Sequence, residues 1–234
     1  ENNTNYTIKD KILIHLNSTK DLGIIVDSKL NFYDNIHEKI RKSYQMLGIL
    51  KRNFSRMSIK TWTTLYKSLV RSHLEYGVCV WHPSKKYLID ELEKVLRRAT
   101  KMLKQCKHLS YENRLKMLNL PTLTYRRLRG DMIETYKILN NIYDKDVVPL
   151  LVLNKDSKTR GNSLKLSVNR AHLNLKKFYF TSRIVNNWNS LPDAVITAPN
   201  INIFKNKLDE FWKDQDIKFK YRETLNLAGC RTYD

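Results

Sequence analysis

Acidic residues are scarce in this sequence: 23 Asp and Glu stand against 43 Lys and Arg, a formal net charge of +20. Those present do not gather into the paired carboxylates with which polymerases, nucleases and phosphatases share divalent ions, so no metal-dependent phosphoryl-transfer centre is expected. Asp27 follows an apolar run with no acidic neighbour and reads as a solvated turn residue. Asp90, Glu91 and Glu93 fall early in a helical stretch, where they suit the helix dipole and pair at helical spacing. Six scattered glycines supply neither a phosphate-cradling loop nor a nucleophile elbow. Cys79, Cys106 and Cys230 lack disulfide-framework spacing, which suits a reducing compartment. With His82 and His108 two of them give Cys-x-x-His and Cys-x-His, and neither reproduces a zinc finger or knuckle. No catalytic residue, cofactor site or metal ligand is assigned.

No apolar run approaches the ~18 residues that cross a bilayer, and no charged-then-apolar leader opens the chain. The chain is therefore expected to be soluble and intracellular, without a membrane partner. Its first residue is Glu1 rather than Met, and it is expected to be a piece of a longer polypeptide.

What the sequence has in excess is positive charge in one place. From Lys94 to Arg129 stand eleven Lys and Arg against one acid, Glu112. Such density attracts polyanions, and nucleic acid is the leading partner class. The clearest amphipathic stretch opens at Ser84: Leu88, Leu92, Leu96, Ala99, Leu103 and Cys106 share one arc, and Lys94, Arg97, Arg98, Lys101 and Lys104 the opposite one. A merely soluble helix interleaves both signs, so this arc reads as a phosphate-contacting face. Arg126 and Arg129 are added to the set, whereas Arg127 has Asp131 one turn away as an intrahelical partner. Trp62, Tyr66, Tyr76 and Trp81 read as core, as do Trp188 and Trp212.

The predicted organisation is mainly α with minor β. Residues 1–30 read as β, through Tyr6, Ile8, Ile12 to Ile14 and Leu22 to Val26, with a turn at Asn17-Ser18; these are too few strands for a sheet of their own and look like the edge of one lying upstream. Residues 31–145 read as a helical bundle. Its first helix is capped by Asn31 or Asp34, with Ile36, Ile40, Leu47, Leu50 and Phe54 inward. The second runs from Ser58 towards Trp81 with Leu65, Leu69 and Leu74 inward. The third opens at Ser84, and two more start at Ser110 and at Pro121-Thr122. Residues 146–234 read as a small α+β unit entered through a linker at 144–156. It holds a strand at Leu164 to Val168 and helices over Leu175 to Trp188 and after Pro199, the latter with Ile203, Phe204, Leu208, Phe211 and Trp212 inward. A loose tail is expected from Asp214.

Several strings resemble a known family. KDLGIIVDSKLNF (Lys20 to Phe32), LYKSLVRSHLEYGVCVWHP (Leu65 to Pro83), LEKVLRRATKML (Leu92 to Leu103), LSYENRLKMLNLPTLTYRRLRGDMIETYKILNN (Leu109 to Asn141) and WNSLP (Trp188 to Pro192) resemble the C-terminal half of non-LTR, jockey-like retrotransposon reverse transcriptases. The resemblance implies a fragment that begins just after the catalytic palm of an RNA-directed DNA polymerase. Residues 1–30 would be a palm or primer-grip remnant, 31–145 a thumb that grips template and primer, and 146–234 an accessory domain. The palm's aspartate pair has no equivalent, Phe32-Tyr33-Asp34-Asn35 being only an echo, so the chain alone is expected to be inactive; magnesium would act upstream. Leu96 stands where the family has Gln, while Arg97, Arg98 and Lys101 match. The implied partners are an RNA template, an RNA–DNA hybrid or duplex DNA, together with the upstream palm, and the implied location is the nucleus. A stand-alone nucleic-acid-binding adaptor and a helical protein-interaction scaffold are the alternatives.

Overall fold

From residue 31 onward apolar residues recur at helical spacing, and the chain follows that pattern. The computed structural model describes residues 7–9, 11–14, 16–54, 57–154, 162–168 and 174–227; the protein is mainly helical with a little β structure. Two antiparallel hairpins come first: β1 (Thr7–Ile8) with β2 (Lys11–Ile12), and β3 (Ser18–Asp21) with β4 (Ile24–Asp27) in a register that sets Ser18 opposite Asp27. Leu22 and Gly23 turn β3 into β4 with φ of 43° and 78°, the left-handed pair that a two-residue hairpin loop requires. Tyr6, at the start of the first expected strand, lies outside the described residues.

Asp27 then makes the turn from sheet to helix. Its carboxylate accepts from the backbone N–H groups of Lys29, Asn31 and Phe32 at 3.0, 3.1 and 2.7 Å, delivering the chain into α1 (Tyr33–Asn53). The expected caps Asn31 and Asp34 are not used. Phe32 precedes the helix in the left-handed region, φ 54°, without a side-chain cap.

A single rod follows from α2 (Ile59–Leu65) through a π-helical turn (Tyr66–Arg71) into α3 (Ser72–Glu75), capped as expected by Ser58 Oγ, which accepts from Thr61 N at 3.1 Å. The π turn inserts extra residues per repeat and so rotates the register. Leu69, inward by simple periodicity, is 41% exposed, while Val70 is fully buried. The rod stops short of Trp81 because Gly77 adopts φ 64° against Ile24, where a Cβ would stand 2.6 Å from Ile24 Cδ1. The short α4 (Val78–Trp81) leads to α5 (Lys86–Lys101), which starts after Ser84 and ends before Cys106; Lys104–Cys106 forms a separate 3-10 turn. Ser110 and Thr122 cap α6 (Tyr111–Leu118) and α7 (Leu123–Leu139) as expected.

Beyond α7 the expected helix over 175–188 breaks at Tyr179 into α8 (Asn174–Phe178) and α9 (Phe180–Asn189); α10 (Asp193–Ile196) and α11 (Ile201–Phe211) follow. In α11 Phe204, Leu208 and the following Trp212 are buried, but Ile203 and Phe211 are largely exposed. The expected strand at Leu164 to Val168 reduces to one bridge, Leu153 to Leu166, and of the expected linker residues 155 and 156 lie outside the described residues. The loose tail needs correcting over 214–227: Asp216–Lys218 forms a 3-10 turn, and Ile217, Tyr221 and Leu225 are buried. Cys230 lies outside the described residues.

Two hydrophobic cores result. The first joins Ile36, Leu50, Trp62, Tyr66, Trp81, Leu92, Leu96 and Leu115, with the Trp62 and Tyr66 rings stacked at 5.3 Å. The second joins Tyr125, Met132, Tyr136, Trp188, Phe204 and Trp212, with Tyr136 stacked on Phe204 at 4.4 Å. They meet inside α7. Leu123 belongs to the first, and the later buried residues of that helix belong to the second. No described helix is long and apolar enough to cross a membrane.

Candidate nucleic-acid interface

Helix α5 holds the candidate residues because its two faces differ so sharply. Leu88, Leu92, Val95, Leu96, Ala99 and Thr100 fix one side of α5 in the first core, which leaves Lys94, Arg97, Arg98 and Lys101 exposed on the other. These four recur at i, i+3, i+4 and i+7, so they form one row about 10 Å long at 1.5 Å per residue. Lys104 and Lys107 continue it as exposed residues on and after the 3-10 turn rather than on the helix. Among the described residues, no carboxylate lies within ion-pairing distance of any of these six. The Leu96 side chain is buried, so nothing polar reaches the surface from that position.

Two of the arginines are propped by aromatic rings. The Arg97 guanidinium lies between Tyr111 and Tyr221, 4.9 and 5.2 Å from the ring centroids, and Arg98 lies 5.3 Å over Tyr44. A guanidinium stacked on a ring keeps its in-plane donors outward while losing little further freedom on contact. Tyr44 comes from α1, whose His37 also meets Glu91, with Nε2 3.5 Å from Oε2. Both pairings advance by seven residues, so α1 runs parallel to α5 and sets exposed Arg41, Lys51 and Arg52 on the neighbouring helix.

The remaining basic residues of the cluster are buried or paired with other groups of the protein, Lys116 only at the surface. Arg114 is buried and donates to Thr100 Oγ1 at 3.0 Å and Leu109 O at 2.7 Å, and Lys116 pairs with Glu112 at 2.7 Å. Arg126 binds Glu75 through two hydrogen bonds of 2.7 and 2.8 Å. Arg129 holds Asp209 in the same two-pronged way at 2.5 and 2.7 Å. These two arginines, placed by sequence with the α5 set, are thus neutralised by partners on α3 and α11. Arg127 is not paired to Asp131 as spacing suggested. It donates to Thr124 Oγ1 at 3.0 Å, and burial, opposed by Glu93 and Asp131, pulls its guanidinium down to about 10.

Asp131 instead receives Arg183 from α9 in two bonds of 2.9 and 2.8 Å. Burial pushes its carboxyl up, but nearby His82 and the two bonds from Arg183 outweigh this and hold it below the usual carboxylate range. His82 Nδ1 stands 3.4 Å from Asp131 Oδ2, and burial lowers its imidazole against the opposing pull of Asp131. Arg183 also donates to Cys79 O at 2.8 Å.

A cleft of 890 Å³ lined by Phe32, Val80, His82, Val148, Phe178 and Phe180 includes none of the α5 cations. Its Cys79 thiol is pushed far up by burial, the opposite of what a nucleophile needs. Cys106 is buried with its sulfur 3.7 Å from Met117 Sδ. Among the described residues no group of three or more His, Cys, Asp or Glu is placed to hold a metal ion.

Comparison with known proteins adds one relative. An uncharacterized protein of Caenorhabditis elegans is 29% identical over 130 residues, covering 54% of this chain and 66% of the relative. No family model and no solved structure matches the chain.

Proposed function

We propose that the chain grips the phosphodiester backbone of a nucleic-acid duplex with the exposed face of α5. The observation that carries this reading is the row Lys94, Arg97, Arg98 and Lys101 without acidic counterparts, with its arginines pre-set by tyrosines. Phosphate contacts of this kind position a duplex without reading its sequence, and they suit a protein that must hold a strand pair of changing sequence. The resemblance to non-LTR reverse transcriptases supplies the setting: a thumb-like part of an RNA-directed DNA polymerase acting in the nucleus, its catalytic aspartates and magnesium in polypeptide upstream. A hybrid duplex would be sensed through backbone shape and 2′-hydroxyls.

Salt titration of duplex binding tests this. Four phosphate contacts give a log–log slope of roughly −3.6 on B-form DNA, from about −0.9 per contact. A flat line overturns the proposal and favours a protein-interaction scaffold. Primer extension by the isolated chain with magnesium and nucleotides would overturn the division of labour.

A further inference from the structure

Beyond the α5 row, the segment after α11 brings a second arginine to Arg97. Residues 215–226 are tied down at both ends. Thr122 N donates to Lys218 O at 2.9 Å and Thr122 Oγ1 to Ile217 O at 2.6 Å, while Gln215 exchanges side-chain bonds with the Asn226 backbone. Buried Ile217 and Tyr221 hold the segment down, and the Tyr221 ring reaches the exposed end of Arg97. There two guanidiniums converge on one phenol oxygen: Arg97 Nη2 donates to Tyr221 Oη at 3.3 Å and Arg222 Nε at 3.0 Å. Arg222 is the more exposed of its ion pair, 74% open, and its carboxylate partner is Asp90, 3.5 Å from its Nη2. Among the described residues Arg97 has no ion pair, the Glu93 carboxylate one turn back on α5 accepting from Tyr111 Oη and Leu123 N.

Like charges are not brought together without cost. Sharing a phenol oxygen leaves the two donor nitrogens no more than roughly 6 Å apart, a span that two oxygens of one phosphate bridge with charge-assisted bonds of about 2.8 Å. The phenol proton, not needed by either guanidinium, is available as a third donor to the same anion. A forked pair of this kind is the arrangement that arginine, unlike lysine, uses for phosphate.

We propose that Arg97, Tyr221 and Arg222 form one phosphate-binding subsite, through which the C-terminal segment takes part in gripping the duplex backbone. It rests on the reading of the α5 face as a nucleic-acid interface and extends that face by Tyr221, 124 positions away from Arg97, and its neighbour Arg222. Tyr221 is its positioning residue, collecting both arginines and donating its proton outward.

The test uses the full chain and a duplex oligonucleotide, with slopes read from 50 to 200 mM salt. The expected result is the same for Arg222→Gln alone and for the double variant Arg97→Gln/Arg222→Gln, a slope shallower than wild type by about 0.9, the value of one shared phosphate. Tyr221→Phe, which keeps the ring on Arg97 but removes the hydroxyl, should weaken binding several-fold with an unchanged melting temperature. Lys213→Gln, an exposed lysine paired with Glu210 on the same segment's approach, serves as control and should leave both affinity and slope unchanged. An Arg222→Gln slope equal to wild type, or a double-variant slope shallower by about 1.8 as for two independent phosphates, overturns the subsite while leaving the α5 interface standing. A flat wild-type slope overturns the interface, and the subsite falls with it.

Discussion

Helices α5 and α7 carry basic residues at similar density and put them to opposite use. On α5 the cations face outward with tyrosines beneath them. On α7 they turn inward, Arg126 to Glu75, Arg129 to Asp209, and Arg127 into full burial. The cause lies in the surroundings of each helix. One side of α5 rests on the first core and the other is open, whereas α7 is packed by both cores and has few exposed positions to give. Charge density in sequence therefore measures only the supply of cations; packing decides how many remain for a partner.

The largest effect expected from breaking this contrast is on the inward side. Asp131→Asn strips Arg183 of its partner in a buried setting and should cost about 3–5 kcal/mol in denaturant unfolding, while leaving the salt slope of duplex binding intact. Next comes the outward side: reversing Arg97, Arg98 and Lys101 to Glu should weaken duplex affinity about a hundredfold, through lost phosphate contacts and new repulsion, irrespective of base sequence. Its unfolding free energy should fall by only about 1–2 kcal/mol, since Arg97 and Arg98 lose their stacking on Tyr111, Tyr221 and Tyr44 while no core side chain is disturbed. A reversed triple variant that unfolds, or one that still binds, would erase the distinction. Arg126→Gln breaks a two-pronged pair whose side chains are only a quarter exposed and should cost about 1–2 kcal/mol of stability with no change of slope.

The smallest effect is acidic titration. Hydrogen bonds from Lys42 and Lys20 hold the Glu38 carboxyl at about 2 against an ordinary value of 4.5. A carboxyl whose folded value is depressed contributes stability above its unfolded value and loses it as pH falls through the folded one. Melting temperature should therefore fall between pH 4.5 and 2, and Glu38→Gln should flatten that fall. Because the lysine partners are a third to a half exposed, solvent screens the pair and the contribution is a few tenths of a kcal/mol.

Local chemistry made much of this legible before any coordinates. Ser58, Ser110 and Thr122 cap helices because a hydroxyl followed by apolar periodicity is a short-range signal, and the α5 stripe is set within four turns of one helix. What could not be read depends on distance along the chain. Glu75 and Asp209 stand 51 and 80 residues from the arginines they neutralise, beyond any spacing rule. The rotation at Tyr66–Arg71 that exposes Leu69 has no residue signature comparable to proline, and Tyr76, grouped with the core aromatics, is 53% exposed with its hydroxyl bonded to Leu22 O at 2.8 Å. Tyr44, Tyr111, Tyr221 and Arg222 were missed at the candidate site. A tyrosine one turn from an exposed arginine on a neighbouring helix leaves no mark in periodicity, and the polar stretch after Asp214 disguised a packed segment.

The double tether at Thr122 has a consequence for how the chain comes off the ribosome. Residues supplying the first core, Ile36 to Leu123, are contiguous and emerge early, so that body can assemble during synthesis. The start of α7 is closed by Ile217 and Lys218, which are made some 95 residues later. At elongation rates of about 5–20 residues per second that interval is roughly 5–20 seconds, during which the α7 entrance stands open and the pincer on Arg97 does not yet exist.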